Sequence, residues 1–286
     1  MNARYAGLAG MIDGPVKIQY YCSYNSTPNA AIKFTGSWGE ETGQRAGFFV
    51  SEGREANVRT AFFIDGYNLF YGLLAGTPYK WLDLPALLTY ITKIQNPASE
   101  TAQVNYFTSP VLPSLATLGI KSKEAQDTYI RALIAKGVIV TLGKHRLEHG
   151  TAPRYIDKNT PASRQDKVDI WDLEEKQTDV SLAIGMYRLL SKQQNLQAYE
   201  RIEQIVLVSA DTDMTPALKA IKQDFPEIIV GIILPHREGI DREVPGSLKN
   251  YAHWVRKNVK IDELKAHQFP ERVPTNKKPA IKPHYW

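Results

Sequence analysis

Residues 59–72, RTAFFIDGYNLFYG, carry the clearest indication of a fold class. The apolar run from Ala61 to Ile64 has the length of a strand that is buried on both faces, and Asp65-Gly66 ends it. A helical stretch follows at residues 69–74. A buried strand that passes directly into a helix is typical of α/β proteins with a parallel sheet.

The same alternation continues along the chain, apart from residues 144–170, which resemble an irregular, basic excursion. We therefore predict an α/β domain over residues 58–267, with a central, mostly parallel sheet of about five strands and helices on both faces. Its other strands are predicted at residues 103–108, 138–142, 205–209 and 228–234. Its other helices are predicted at residues 83–95, 123–136, 172–192 and 215–223.

The two ends of the chain have a different composition from this domain. Residues 1–57 are rich in Gly, Ser, Asn and Thr and show no sustained period, so we expect a poorly structured N-terminal segment. Residues 268–286 are rich in proline and lysine, which predicts a disordered basic tail.

Composition narrows the class of protein. Of the 286 residues 43% are hydrophobic, no apolar run is long enough for a membrane span, and the start makes a poor signal peptide. The single cysteine, Cys22, excludes an intramolecular disulfide framework and a cysteine-rich zinc site. We expect a soluble cytoplasmic protein without a membrane partner, and assembly into a homodimer stays open. The net charge of +5 permits binding to a polyanion without requiring it.

Acidic residues follow two of the predicted strands. Asp65 comes directly after the first, and Asp211 and Asp213 come after IVLVS at residues 205–209. Parallel sheets build their sites at the carboxyl ends of strands. A single aspartate there is explained as well by capping of the next helix. Three at equivalent strand ends favour a shared site.

The helix predicted at residues 172–192 adds a fourth acid. Glu175 and Asp179 are four residues apart and would share one helix face, with Asp179 at the edge of the apolar stripe. Carboxylates packed together without a cation raise one another's pKa, so a divalent ion shared by Asp65, Asp179 and Asp211 explains the group. Hard oxygen ligands without histidine or cysteine favour Mg²⁺ or Mn²⁺.

Four segments together resemble the motifs of bacterial NYN-domain proteins, relatives of the PIN nucleases. The family pattern runs D-G-x-N, then E-K-x-x-D-V, then S-x-D-x-D, and the resemblance covers about residues 59–236. The segments are FFIDGYNLFYG (62–72), TPYKWLDL (77–84), EEKQTDVSLA (174–183) and VSADTDMTPAL (208–218).

The resemblance implies a PIN-like three-layer domain and assigns roles to its motif residues. Catalytic and metal-binding roles fall on the acids Asp65, Asp179, Asp211 and Asp213. Supporting roles fall on Asn68, Glu175, Ser209 and Thr212, with Lys176 at the rim. One departure is Gly185, which stands where many relatives carry a further acid, and it weakens the expectation of two metal ions.

The function expected from these motifs is metal-dependent phosphodiester hydrolysis by an endoribonuclease, with single-stranded RNA as the partner. Tyr155 or Trp171 could stack a base. A solvated loop explains the basic excursion equally well. The side chains that could hold the RNA strand are Lys144, His145, Arg146, Arg154, Lys158, Arg164, Lys167 and Lys176.

Two other functions are compatible with parts of the sequence. A catalytically silent RNA-binding or scaffold protein on the same fold is consistent with Gly185, although the four aspartates together argue against it. A haloacid-dehalogenase-like phosphatase would use the Asp211–Thr215 stretch, DTDMT, as its D-x-D-x-T signature. That class needs a later strand ending in an acidic pair, whereas IIVGIIL ends in Pro235-His236.

Overall fold

The computed structural model describes residues 2–5, for which only the backbone is considered, and residues 57–239 and 243–286. The predicted N-terminal segment, residues 1–57, therefore lies outside the described residues apart from its residues 2–5 and 57. Within the described ranges, no helix combines the length and the hydropathy that a membrane crossing requires.

The described residues form strands and helices in alternation over most of the domain. A π-helical turn, Phe70–Leu74, continues the first helix directly. The strands are β1 (Asn2–Tyr5), β2 (Val58–Asp65), β3 (Ser99–Thr108), β4 (Ile139–Leu142), β5 (Lys144–Pro153), β6 (Lys167–Lys176), β7 (Gln204–Val208), β8 (Ile229–Ile233), β9 (Trp254–Arg256), β10 (Arg272–Val273) and β11 (Ala280–Ile281). The α-helices are α1 (Gly66–Leu69), α2 (Leu84–Gln95), α3 (Ile120–Ala135), α4 (Thr178–Lys192), α5 (Thr215–Asp224), α6 (Gly246–Lys249) and α7 (Ile261–Ala266).

The central sheet has six strands in the order β4-β3-β2-β7-β8-β9, and every neighbouring pair is parallel. The predicted α/β class with a parallel sheet is confirmed, with one strand more than the five expected. Strand β9 has only three residues, all of them half-buried, so it lacks the apolar run that marked the others. Strand order reverses between β2 and β7, which is where open parallel sheets place their ligand sites.

Side chains of β2 point alternately into two separate hydrophobic cores. Phe62 and Ile64 pack with α2 and α3 on one face of the sheet. Ala61 and Phe63 pack with α4 and α5 on the other. All four side chains are buried, which explains why this strand is an uninterrupted apolar run rather than an alternating one. The expected helices on both faces are confirmed.

The C-terminal segment, residues 268–286, is ordered, contrary to the tail predicted from its composition. Phe269 and Trp286 pack around Trp81, whose indole Nε1 donates to the carbonyl oxygen of Pro270 at 2.8 Å. Strands β10 and β11 pair antiparallel within the segment. The average composition of the segment does not reflect the few aromatic side chains that anchor the segment to the core.

The region after β4 also differs from its prediction. The expected irregular excursion is an antiparallel ribbon of β5 and β6, paired from Lys144↔Lys176 to Pro153↔Lys167, and β1 pairs with the other edge of β6. Helix α4 therefore begins at Thr178 and not near residue 172. Gln177 separates β6 from α4 with a left-handed φ of 77°, a turn that its sequence neighbours did not indicate.

The packing of the C-terminal segment can be tested with Phe269→Ala. Removal of this buried ring should lower the free energy of unfolding by about 3 kcal/mol, through lost apolar burial and the cavity left behind. The matched control is Ile281→Ala in the same segment, because Ile281 is 53% exposed. Urea denaturation of both variants would measure the difference. Equal, small effects would show that the segment does not pack on the core.

Candidate metal centre

Asp65 is the last residue of β2 and lies at the point where strand order reverses. Its Oδ1 accepts a hydrogen bond from the backbone N–H of Asn68 at 3.0 Å, so it caps α1. Its Oδ2 accepts from Asn68 Nδ2 at 2.6 Å and from Ser209 Oγ at 3.2 Å. The carboxylate is buried, and these bonds hold its orientation.

Asp211 follows β7, the strand that is paired with β2. Its Oδ1 accepts from the backbone N–H of Asp213 at 3.0 Å, and its own N–H donates to Ser209 Oγ at 3.0 Å. Ser209 therefore connects the chain at Asp211 with the carboxylate of Asp65. Asp211 Oδ2 is buried and has no hydrogen-bond partner among the described residues.

Asp179 lies in the first turn of α4. The structure brings one carboxylate oxygen each of Asp65, Asp179 and Asp211 to within 4.8 Å of one another. The interpretation that Glu175 and Asp179 share a helix face is wrong, because Glu175 lies in β6, before the turn at Gln177. Asp179 reaches the centre from the helix, and Glu175 approaches it from the ribbon.

The three carboxyl groups are harder to ionise than ordinary aspartates. Burial raises the pKa of Asp65 to about 6, hydrogen bonds from Asn68 act against the rise, and the charge of Glu175 adds to it. Burial, followed by the charges of Asp65 and Glu175, raises the pKa of Asp179 to about 6. Burial is also the main cause for Asp211, whose pKa is about 6.

This arrangement fits a divalent cation. A bound cation would offset the repulsion among the carboxylates and give the unpaired Asp211 Oδ2 a partner. Carboxylate oxygens are hard donors of the kind that Mg²⁺ and similar ions prefer. Asp65, Asp179 and Asp211 are thus the residues that could hold such an ion.

The remaining predicted site residues lie at different distances from this centre. Asn68 and Ser209 each donate a hydrogen bond to Asp65. Asp213 is exposed and outside the group of three carboxylates, although its charge helps to raise the pKa of Asp211. Thr212 is exposed on the short helical turn before α5. Gly185 lies over Phe107, and a Cβ there would stand 3.1 Å from that ring.

A hydroxyl network behind the centre was not foreseen. Thr178 Oγ1 donates to Glu175 Oε1 at 2.7 Å and lies 3.1 Å from Ser109 Oγ. Ser109 directly follows β3 and lies at the same end of the sheet as Asp65. Its position directly after a strand is the sequence feature that could have predicted a place near the site. This network orients Glu175 beside the acidic centre.

The predicted RNA-binding cations lie on the ribbon and its connecting loop, and several have acidic partners there. Lys176 Nζ is 2.6 Å from Glu174, and Arg154 Nε is 3.0 Å from Asp166. Arg146 forms an ion pair with Glu148. Exposed ion pairs of this kind are weak. A phosphate could therefore bind these cations by replacing their acidic partners.

The cost of ionising Asp179 can be measured in metal-free protein. Its folded-state pKa is raised from 3.8 to about 6, so folded-state stability is lost as pH rises through this window. Asp179→Asn should raise the free energy of unfolding at pH 8 in EDTA by roughly 1 kcal/mol, after allowance for the partial exposure of the side chain. This corresponds to an increase of about 2–4 °C in the melting temperature. The gain should vanish at pH 4.

The control for this measurement is Asp262→Asn, which removes a charge at a side chain that is 93% exposed. It should leave the melting temperature within about 1 °C of the parent at both pH values, since exposed charges contribute little. A gain from Asp179→Asn that persists at pH 4 would show that it does not come from ionisation.

Comparison with known proteins identifies the family. The NYN domain matches residues 59–253. The 6-hydroxy-3-succinoylpyridine 3-monooxygenase HspA of Pseudomonas putida is 33% identical over 251 residues, covering 80% of this chain and 75% of that protein. A solved structure of a protein of unknown function from Vibrio parahaemolyticus has a TM-score of 0.42 and 15% identity, covering 77% of this chain and 100% of that one.

The family match contains the whole acidic centre. Asp65, Asp179 and Asp211 all fall within residues 59–253. The aspartates of the sequence motifs lie where the strand order of the parallel sheet reverses. This chain is a member of the NYN-domain family of the PIN-like superfamily.

Proposed function

We propose that the protein is a divalent-metal-dependent nuclease that hydrolyses phosphodiester bonds in RNA, with Mg²⁺ or Mn²⁺ as its ion. The observation that carries this proposal is the convergence of Asp65, Asp179 and Asp211, with one buried carboxylate oxygen of Asp211 lacking a partner. Membership of a nuclease-like family supports the reaction class. The choice of an endonucleolytic cut in single-stranded RNA rests on the motif resemblance.

The residues of the centre would act mainly by holding the divalent ion and by fixing the orientation of its carboxylate ligands. A divalent ion bound there supplies a water of lowered pKa and polarises the scissile phosphate. Asn68 and Ser209 hold Asp65 in one orientation, which keeps its oxygens aimed at the shared position. Without an ion the three negative charges would repel a phosphate, so the same carboxylates make cleavage strictly ion-dependent.

A phosphatase of the haloacid dehalogenase type receives no support from this geometry. That mechanism needs Asp211 as a nucleophile, with Asp213 as its acid/base partner. Here Asp211 is grouped with Asp65 and Asp179, from β2 and α4, and Asp213 is exposed outside the group.

A second candidate activity follows from the relative named a 6-hydroxy-3-succinoylpyridine 3-monooxygenase. Identity of 33% across 80% of the chain favours a test of the same substrate class here. A monooxygenase inserts one atom of O₂ and needs a two-electron reductant. Purified protein should therefore be incubated with 6-hydroxy-3-succinoylpyridine, reduced nicotinamide cofactor and O₂, in parallel with the nucleic-acid assays.

Asp211→Asn tests the nuclease proposal. Labelled single-stranded RNA, double-stranded RNA and single-stranded DNA should be incubated with Mg²⁺, Mn²⁺ or EDTA, and products resolved on denaturing gels. The parent should cleave single-stranded RNA only with a divalent ion. The variant should cleave at least about 100-fold more slowly, because an amide keeps the shape but removes one anionic ligand.

Asp262→Asn is again the matched control and should cleave like the parent, and circular dichroism should show that Asp211→Asn is folded. Equal cleavage by Asp211→Asn and the parent would remove Asp211 from the proposed site. A parent that cleaves none of the three nucleic acids but hydroxylates the pyridine would replace the nuclease proposal with the second candidate.

Ion binding should depend on pH. Protons compete with the ion for carboxylates whose pKa values are about 6, so binding is favoured above that pH. The affinity for Mn²⁺, measured by isothermal titration calorimetry, should be about tenfold or more weaker at pH 5 than at pH 7.5. An affinity that does not change across this range would contradict binding by the three aspartates.

A further inference from the structure

One face of the β5–β6 ribbon leads away from the acidic centre. His145 is the cross-strand partner of Glu175, and directly opposite residues on neighbouring strands share a face. Glu175 is close enough to raise the pKa of both Asp65 and Asp179. The ribbon face that carries His145 and Glu175 therefore begins at the metal centre.

His145 is held in place at this end of the ribbon. Its Nδ1 lies 2.8 Å from the carbonyl oxygen of Pro110, which can only accept, so Nδ1 carries a proton. Its Nε2 lies 3.3 Å from the hydroxyl of Tyr67, two residues after Asp65. The contact with Tyr67 joins the start of the ribbon to α1, the helix that Asp65 caps.

The same face becomes apolar and then aromatic with distance from the centre. Leu147 and Leu173 form the next pair on it, and both are half-buried. His149 and Trp171 follow, with ring centroids 6.5 Å apart in an edge-to-face arrangement. Trp171 is 58% exposed. Trp171 is four residues from Glu175, a distance of about 13 Å along a strand.

The ribbon is unsuited to binding through charge alone. Residues 144–176 contain seven basic and seven acidic residues, so their formal charges cancel. Among them, Arg146, Arg154 and Lys176 already form ion pairs within this region. A contact with this face would rely on ring stacking and apolar burial.

We infer that this face, defined by His145, Leu147, His149, Trp171 and Leu173, binds the substrate strand, and that Trp171 stacks on one of its unpaired bases. The inference rests on the proposed nuclease function. Base stacking on an aromatic side chain requires the face of the base, which only a single strand presents freely. The substrate class is accordingly single-stranded nucleic acid, read without base sequence.

The distance between Glu175 and Trp171 indicates how far the stacked base lies from the scissile phosphate. At an axial rise of ~3.4 Å for each stacked nucleotide, 13 Å corresponds to about four nucleotides, and to fewer in an extended strand. One base on one side of the scissile phosphate therefore contributes more to binding than its neighbours. A substrate too short to reach Trp171 lacks this contribution.

The test measures binding separately from cleavage. Fluorescence anisotropy of an end-labelled, single-stranded oligoribonucleotide gives the Kd in the Asp211→Asn background. Addition of Trp171→Ala should raise the Kd about 5- to 100-fold, the usual effect of losing one base–aromatic stack. Trp171→Phe should recover most of the affinity, and Trp171→Leu should not, which separates stacking from apolar bulk.

A scan of single abasic positions provides a second readout. One position, about two to four nucleotides from the cleavage site, should lose affinity with Trp171 present and lose none in Trp171→Ala. The loss caused by Trp171→Ala should be the same at low and high salt, because no counterions are released by stacking. Tyr199→Ala is the matched control, since Tyr199 is 73% exposed and lies outside the ribbon.

The outcomes separate the inference from the proposed function. Unchanged affinity in Trp171→Ala and Trp171→Leu, with a parent that cleaves RNA, overturns the inference alone. An equal loss in Tyr199→Ala also overturns it. A parent that binds through Trp171 without cleaving supports the binding face and overturns the nuclease. A parent that neither binds nor cleaves overturns both.

Discussion

Parallel pairing of β2 with β7 is the constraint on which the centre depends. It places the carboxyl ends of both strands side by side. Asp65 and Asp211 therefore meet there, although they are 146 positions apart in the sequence. Two cores hold this pair of strands in place from both faces of the sheet. The carboxylates are therefore buried together by the packing of the sheet, despite their mutual repulsion.

That repulsion connects the fold to its chemistry. Three carboxyl groups with pKa values of about 6 are a cost to the folded protein at neutral pH, and a cation at the same place removes it. The orienting bonds from Asn68 and Ser209 do not neutralise charge, so they prepare the site without replacing the ion.

Much of the fold could be predicted, because strands buried on both faces are uninterrupted apolar runs. Ala61–Ile64 and residues 205–209 are runs of this kind. Predictions failed where the pattern depends on distant partners. Strand β6 carries four acids with no apolar run, and its pairing with β5 is not visible locally. Its residues 167–170 therefore resemble an irregular excursion, and its residues 172–176 resemble the start of the helix that follows. Phe269 packs against Trp81, which is 188 positions away, and composition concealed this anchor.

The sequence alone determined the α/β class and the family motifs, and it indicated Asp65, Asp179 and Asp211 as candidate site residues, because each lies within one of those motifs. Only the tertiary structure decided that Asp213 is outside the carboxylate group and that Glu175 approaches from a strand. It also decided that the basic excursion is a ribbon that carries Trp171 on the same face as Glu175. The positions of Glu175 and Trp171 depend on the register of the ribbon and on the left-handed residue Gln177, and neither is encoded in periodicity or composition.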